Sequence, residues 1–136
     1  MDYQRLLLKR NEENPFAREL GIRTVEIRPG YARSELNIAE RHMNFIGSVH
    51  GGCLFSLADT VCGSAAASHG FYCTTINGTI NYLTAAIDVS RLIAEAREIK
   101  HGKRIDVYQV EIRDEKGTLF AQGTFSYFNL QEEIKL

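Results

Sequence analysis

Long apolar runs, an excess of either charge and a matched set of cysteines are all missing from this sequence. No stretch approaches the roughly 18–20 apolar residues needed to span a bilayer, so a membrane protein is not expected. The formal charge is −1 over 136 residues. That balance leaves no broad cationic surface for nucleic acid or an anionic membrane. The opening Met1-Asp2-Tyr3-Gln4-Arg5 lacks the charged-then-apolar profile of a signal peptide. Cys53, Cys62 and Cys73 are odd in number and show no C-x-x-C spacing. They read as reduced small hydrophobes, which places the expected compartment in the cytoplasm. No G-x-S-x-G marks a serine nucleophile. His42, His50, His69 and His101 lack ligand-like spacing and the cysteines read as buried, so no zinc site is expected; nor is any other cofactor. Repeats, low-complexity tracts and linkers are absent too, and residues 1–136 read as one domain.

What is present is ordinary globular composition, 44% hydrophobic and 24% charged, in a chain long enough to bury a core. Residues 2–13 suit a short amphipathic helix around Leu6-Leu7-Leu8. Asn14-Pro15 breaks it, and Phe16 to Leu20 forms a further turn ending at Gly21. Ile22, Val25 and Ile27 then lie in a strand that turns at Pro29-Gly30 and returns through Ala32, Ser34, Leu36 and Ile38. Residues 39–50 are irregular. Gly51 to Ser68 changes character: Leu54, Phe55, Leu57, Ala58, Val61, Cys62, Ala65 and Ala66 recur at helical spacing. So many small residues, apolar most of the way round, predict a buried helix approached closely from several sides. Strands follow at Thr74–Leu83, Arg91–Lys100, Lys103–Arg113 and Thr118–Phe128, with Glu115-Lys116-Gly117 as a turn. Strands gathered around one long helix define an α+β class with an antiparallel sheet curled about that helix.

Asp59 is the strongest oddity. A carboxylate in the middle of the most apolar helix costs several kcal/mol unless it is paired, hydrogen-bonded or at a wet cleft. It either rotates to solvent or caps a neighbour, or it serves as a general base or nucleophile tuned by its setting. Gly51-Gly52 precedes the helix, where free N–H groups attract negative charge and glycine admits a ligand to the backbone. That arrangement suits a developing oxyanion; a flexible joint is the plainer alternative. Asn44 and His50 lie in the loop feeding the helix and carry little weight singly.

Together these residues form Asn44-x5-His50-Gly51-Gly52-x6-Asp59, within the longer run Asn44-Phe45-Ile46-Gly47-Ser48-Val49-His50-Gly51-Gly52 and Leu54-Phe55-Ser56-Leu57-Ala58-Asp59. This run resembles the signature of the PaaI-type hotdog thioesterases, the phenylacetate-pathway branch that includes the thioesterase superfamily member 2 type. The resemblance extends over roughly residues 15–128, taking in Asn81-Tyr82-Leu83, the Gly102-Lys103 step and the Gly117–Gly123 hairpin. It implies a hotdog fold and hydrolysis of an acyl-CoA, of aryl or phenylacetyl type, to free acid and coenzyme A. Gly51 would polarise the thioester carbonyl through its N–H, and Asp59 would activate water or attack directly. Asn44 would hold the water or thioester, His50 would support the loop and carbonyl site, and Thr75 or its neighbour Thr74 would orient the water. Gly52, Asn81, Tyr82 and Leu83 would border the pantetheine tunnel. Lys103 and Arg104, with Lys100 and more weakly Arg91, would meet the phosphates, unless they are simply solvated turn charges. Coenzyme A enters only as part of the substrate.

Helix geometry adds a constraint. Gly51 and Asp59 are eight residues apart, about 12 Å along one helix at 1.5 Å per residue. An oxyanion donor and a base must each stand within about 3 Å of the reacting atoms. One helix cannot easily supply both, so the expectation is a dimer with two equivalent sites, each pairing Gly51 of one subunit with Asp59 of the other. The resemblance also implies edge-to-edge pairing and tetramers built from two dimers. Two other functions suit the same fold: a 3-hydroxyacyl-thioester hydratase or dehydratase, and a non-catalytic acyl-CoA-binding protein. Asn44 stands where the former tends to carry a histidine.

Overall fold

The computed structural model describes all 136 residues. Helix α1 (Tyr3–Glu12) starts at Asp2, whose carboxylate accepts from the Arg5 N–H. The short α2 (Pro15–Leu20) has Asn14 as its cap and Gly21, at φ +85°, as its left-handed stop. A hairpin of β1 (Arg23–Arg28) and β2 (Tyr31–Asn37) turns at Pro29-Gly30. A short 3₁₀ turn, Glu40–His42, lies in the stretch read as irregular. Then come α3 (Gly51–Ala67), β3 (Phe71–Tyr82), β4 (Arg91–His101), β5 (Ile105–Asp114) and β6 (Leu119–Glu133).

The strands form one antiparallel sheet in the order β1-β2-β4-β5-β6-β3, and α3 lies in its curve. This is the hotdog arrangement. The closeness of helix and sheet follows from small side chains on both. On the helix Ala58, Cys62, Ser64, Ala65 and Ala66 are buried; on the sheet Ala32, Ser34, Ala94, Ala96 and Ala121 face inward. Two polar residues of α3 fold onto the helix itself. Ser56 Oγ donates to the Gly52 carbonyl and Thr60 Oγ1 to the Ser56 carbonyl.

Element boundaries move by a few residues from the sequence reading. β3 begins at Phe71 rather than Thr74, and β6 runs on to Glu133 rather than stopping at Phe128. Ile38 lies just past the end of β2 and still packs, partly buried, against the core behind Leu36. Helix α1 is fastened to β1 by Asn11, which donates to the Thr24 carbonyl at 2.8 Å and accepts from the Thr24 N–H at 2.9 Å. Beneath it, Thr24 joins the buried hydroxyls of Ser34 and Ser64. No helix is long and apolar enough to cross a membrane.

Candidate active site

His50 sets the start of α3. Its backbone is extended, and its Nδ1 accepts from the Gly52 N–H at 2.8 Å. The acceptor role of Nδ1 leaves the ring proton on Nε2. The His50 carbonyl takes the Cys53 and Leu54 N–H groups, while the Gly51 N–H has no acceptor in the chain. A single unpaired donor therefore remains at the positive end of a 17-residue helix. Tyr82 donates its hydroxyl to the Gly51 carbonyl at 2.8 Å, and a Cβ on Gly51 would stand 3.1 Å from the Tyr82 ring. Glycine is what lets this aromatic close over the helix start.

A cavity of about 330 Å³ opens beside that donor, lined by Asn44, Val49, Gly51, Leu54, Tyr82 and Leu83 among others. Asn44 is committed to shaping its rim. Its Oδ1 accepts from the Ile46 and Ser48 N–H groups, and its Nδ2 donates to Ser48 Oγ. Asn44 thus holds the loop rather than pointing a free amide into the cavity. Of the proposed coenzyme contacts, Tyr82 and Leu83 line this cavity. Asn81 is an exposed residue of β3, and the Gly52 N–H is already taken by His50.

Asp59 lies two turns along α3, half-buried, and does not line the cavity. It neither rotates freely into solvent nor caps a strand backbone. Its Oδ1 accepts from Thr75 Oγ1 at 2.8 Å and from the Tyr127 hydroxyl at 2.6 Å. Tyr127 also reaches the Asp59 carbonyl at 2.8 Å. Of the two threonines, Thr75 is the one on the carboxylate. Burial pushes the Tyr127 phenol far above its ordinary range, with Cys62 and Asp59 adding to it, so it stays protonated and remains a donor. One carboxylate oxygen is therefore fixed by two hydroxyls, and the other has no hydrogen-bond partner in the chain.

Tyr127 was missed in the sequence. It sits in the inward series Ala121, Gly123, Phe125, Tyr127 of β6, where an aromatic reads as core. Arg10 was missed as well: its guanidinium packs over Gly63 and donates to Ser64 Oγ at 3.1 Å and the Thr60 carbonyl at 3.3 Å. Burial lowers its pKa, with Tyr127 and Asp59 acting the other way. His42 is structural. It accepts from the Ala39 N–H through Nδ1 and reaches the Leu20 carbonyl through Nε2.

Lys103 and Arg104 fall far from the cavity within one chain. They sit at the β4–β5 turn, where the Arg104 carbonyl accepts from the Asn129 N–H. Tyr82, at the cavity, pairs instead with Ala121. Ala121 and Asn129 are eight residues apart on β6, about 25 Å at strand rise. Arg104 lies over the Phe128 ring at 5.9 Å.

A helix therefore lies in the curve of a sheet, with a bare N–H at its start and a tethered carboxylate on its flank. The chain belongs to the thioesterase superfamily, whose family model matches residues 46–121. It is 34% identical over 101 residues to the acyl-coenzyme A thioesterase PaaI of Escherichia coli K12, covering 74% of this chain and 72% of that protein. With human acyl-coenzyme A thioesterase 13 the identity is 30% over 112 residues, covering 79% and 80%. The solved structure of E. coli PaaI, from the phenylacetic acid degradation operon, superposes with a TM-score of 0.87 over 96% of this chain and 99% of that one, at 28% identity. A hypothetical thioesterase from Streptococcus pneumoniae TIGR4 with coenzyme A gives 0.79 over 83% and 88%, at 26% identity.

Proposed function

We propose that this enzyme hydrolyses acyl-CoA thioesters in a homodimer, with each active site drawn from both subunits. The observation that carries the reading is the Asp59 carboxylate, held at one oxygen by Thr75 and Tyr127 and separated along α3 from the unpaired Gly51 N–H. The edge strand β3 supplies the means to reunite them. Asp59 stands beside Thr75 in its first half, and Gly51 beside Tyr82 at its end. β3 is long, unpaired on its outer side and largely exposed, the kind of edge that natural proteins cover. A two-fold axis near Gly78 pairs two such edges antiparallel. It sets Tyr82 and Gly51 of one subunit against the first half of the partner's β3, next to the partner's Asp59. The same operation brings Lys103 and Arg104 of the partner toward the cavity, where they suit the phosphates of coenzyme A.

In the reaction, the free Asp59 oxygen takes a proton from water, and the hydroxide adds to the thioester carbonyl carbon. The resulting oxyanion accepts the Gly51 N–H. The C–S bond then breaks, and the leaving thiolate takes up a proton. Attack by Asp59 itself, through an anhydride that water opens, has the same overall balance. His50 acts by occupying the Gly52 N–H and keeping the loop in place. The apolar cavity wall of Val49, Leu54 and Leu83 suits an aryl or phenylacetyl group. Dimers pairing into a tetramer complete the assembly we expect.

Asp59→Asn keeps the shape and the hydrogen-bond acceptor but removes the base. The expected outcome is a loss of turnover of about a thousandfold with the circular dichroism spectrum and oligomer unchanged. A thiol-release assay across aryl, short, medium and long acyl-CoAs reads both the activity and the acyl preference. Parental turnover in Asp59→Asn would sink the mechanism. Absorbance from a new double bond without thiol release would point to a hydratase-type reaction instead.

A further inference from the structure

The loop after α3 and the β4–β5 hairpin assemble a second polar cluster, at the end of the sheet away from the cavity. His69 and His101 stack face to face, their centroids 3.6 Å apart and their planes within 8°. One ligand atom from each of His69, His101 and Asp106 lies within 4.8 Å of the other two. His101 Nδ1 meets Asp106 Oδ1 at 2.7 Å, and the Gly102 N–H donates to the same oxygen. His69 Nε2 meets Glu98 Oε1 at 2.5 Å. The Tyr108 hydroxyl stands between the carboxylates, 3.4 Å from Glu98 and 3.5 Å from Asp106.

Charge is what makes the cluster unusual. The Asp106 side chain is only 2% exposed, and its one ion-pair partner is His101, just as that of Glu98 is His69. No lysine or arginine compensates either carboxylate. A single divalent cation would supply the positive charge that no lysine or arginine brings to the buried carboxylate.

We propose that His69, His101 and Asp106 bind a divalent transition-metal ion of the zinc, cobalt or nickel class. Two imidazoles and a carboxylate are the donors such ions favour. Two imidazole nitrogens on a tetrahedral zinc stand roughly 3.3 Å apart, given bonds of about 2.0–2.1 Å. The rings lie 3.6 Å apart between centroids with planes 8° from parallel, so binding one ion requires them to tilt until their in-plane lone pairs converge. Glu98 orients His69, as carboxylates behind metal-bound histidines do. The side chains of His69 and His101 are 21% and 40% exposed, so the ion enters from solvent and keeps open positions for water. The site is structural rather than hydrolytic. It ties the end of α3 to the β4–β5 hairpin, and Tyr108 packs edge-on against Tyr127 with centroids 6.1 Å apart, one aromatic layer behind Asp59.

The test titrates untagged full-length protein with Co²⁺ and follows the visible d–d absorption, with Zn²⁺ added to displace it. The expected result is saturation at one ion per chain and roughly hundredfold weaker uptake in His69→Gln and in His101→Gln. Zn²⁺ should raise the melting temperature of the parent and not of either variant. Both histidines are partly exposed, so these variants carry the test even if Asp106→Asn fails to fold. No saturable band overturns the proposal. So does equal uptake by the parent and both variants, which would place the ion on His50 or the cysteines.

Discussion

The difference between a buried carboxylate that catalyses and one that merely survives lies in how its oxygens are used. Both fixed contacts of Asp59 fall on Oδ1, so the side chain is oriented while the other oxygen stays available. Tyr127→Phe removes the 2.6 Å bond and the bond to the Asp59 carbonyl together. Hydrogen bonds to charged groups contribute about 1.5–3 kcal/mol. Turnover is therefore expected to fall at least roughly tenfold with KM near the parental value; steady-state kinetics on any accepted acyl-CoA decides it. The cysteines make a separate prediction. Burial, with Asp106 adding to it, pushes the Cys73 thiol from about 9 to about 11, and burial likewise raises Cys53 and Cys62. A raised acid binds its proton more tightly when folded. Its contribution is fully present below pH 9 and is lost as pH rises from about 9 toward about 11. Urea midpoints should decline across that window, and Cys73→Ala should flatten the decline. At this scale the sequence announced Asp59 because its neighbours are apolar. It could not announce Tyr127, whose hydroxyl differs from a core phenylalanine only in what stands 68 residues away in the chain.

Among the elements, α3 was the most legible, since its composition and spacing agree on one conformation. The sheet was legible as strands but not in its order, because β3 pairs with β6 across two intervening strands. The β3–β6 pairing depends on one glycine. A Cβ on Gly123 would stand 2.2 Å from the Thr79 carbonyl oxygen and 3.1 Å from Ile80 Cα, both backbone atoms of β3. Neither can yield without parting the strands. Gly123→Ala is expected to cost about 3 kcal/mol or more in chemical denaturation, at the upper end of overpacking effects. Because β3 carries Thr75 and Tyr82, the variant should also lose activity out of proportion to any change at Asp59. The expectation of no metal site rested on spacing along the chain. His69 and His101 are 32 positions apart in the sequence, yet the fold stacks them.

At the level of the whole molecule, the separation of Gly51 from Asp59 was calculable from helix rise alone. The exposed outer edge of β3, on which the proposed dimer rests, was not, because an edge strand and a central strand share one alternation pattern. The proposed two-subunit site predicts complementation. Gly51→Pro removes the N–H at a helix position that accepts proline, and the extended His50 backbone suits the residue before it. The exposed Tyr82 ring can swing clear. Gly51→Pro and Asp59→Asn should each be nearly inactive alone. Mixed by unfolding and refolding, half the dimers are heterodimers, and each of these regains one intact site of two. About a quarter of parental activity should return; none would mean that each chain works alone.

The connection from Leu83 to Ala86 has a consequence of another kind. It forms one wall of the cavity, yet Leu83, Thr84 and Ala85 are exposed and only Ala86 is buried. Asp59, its tethers Thr75 and Tyr127, and the Gly51 N–H all lie elsewhere, on α3, β3 and β6. If the cavity takes the acyl group as proposed, substitutions in these few positions reshape what the enzyme accepts and leave Asp59, Gly51 and the sheet untouched. A descendant lineage can change its diet by rewriting one short loop.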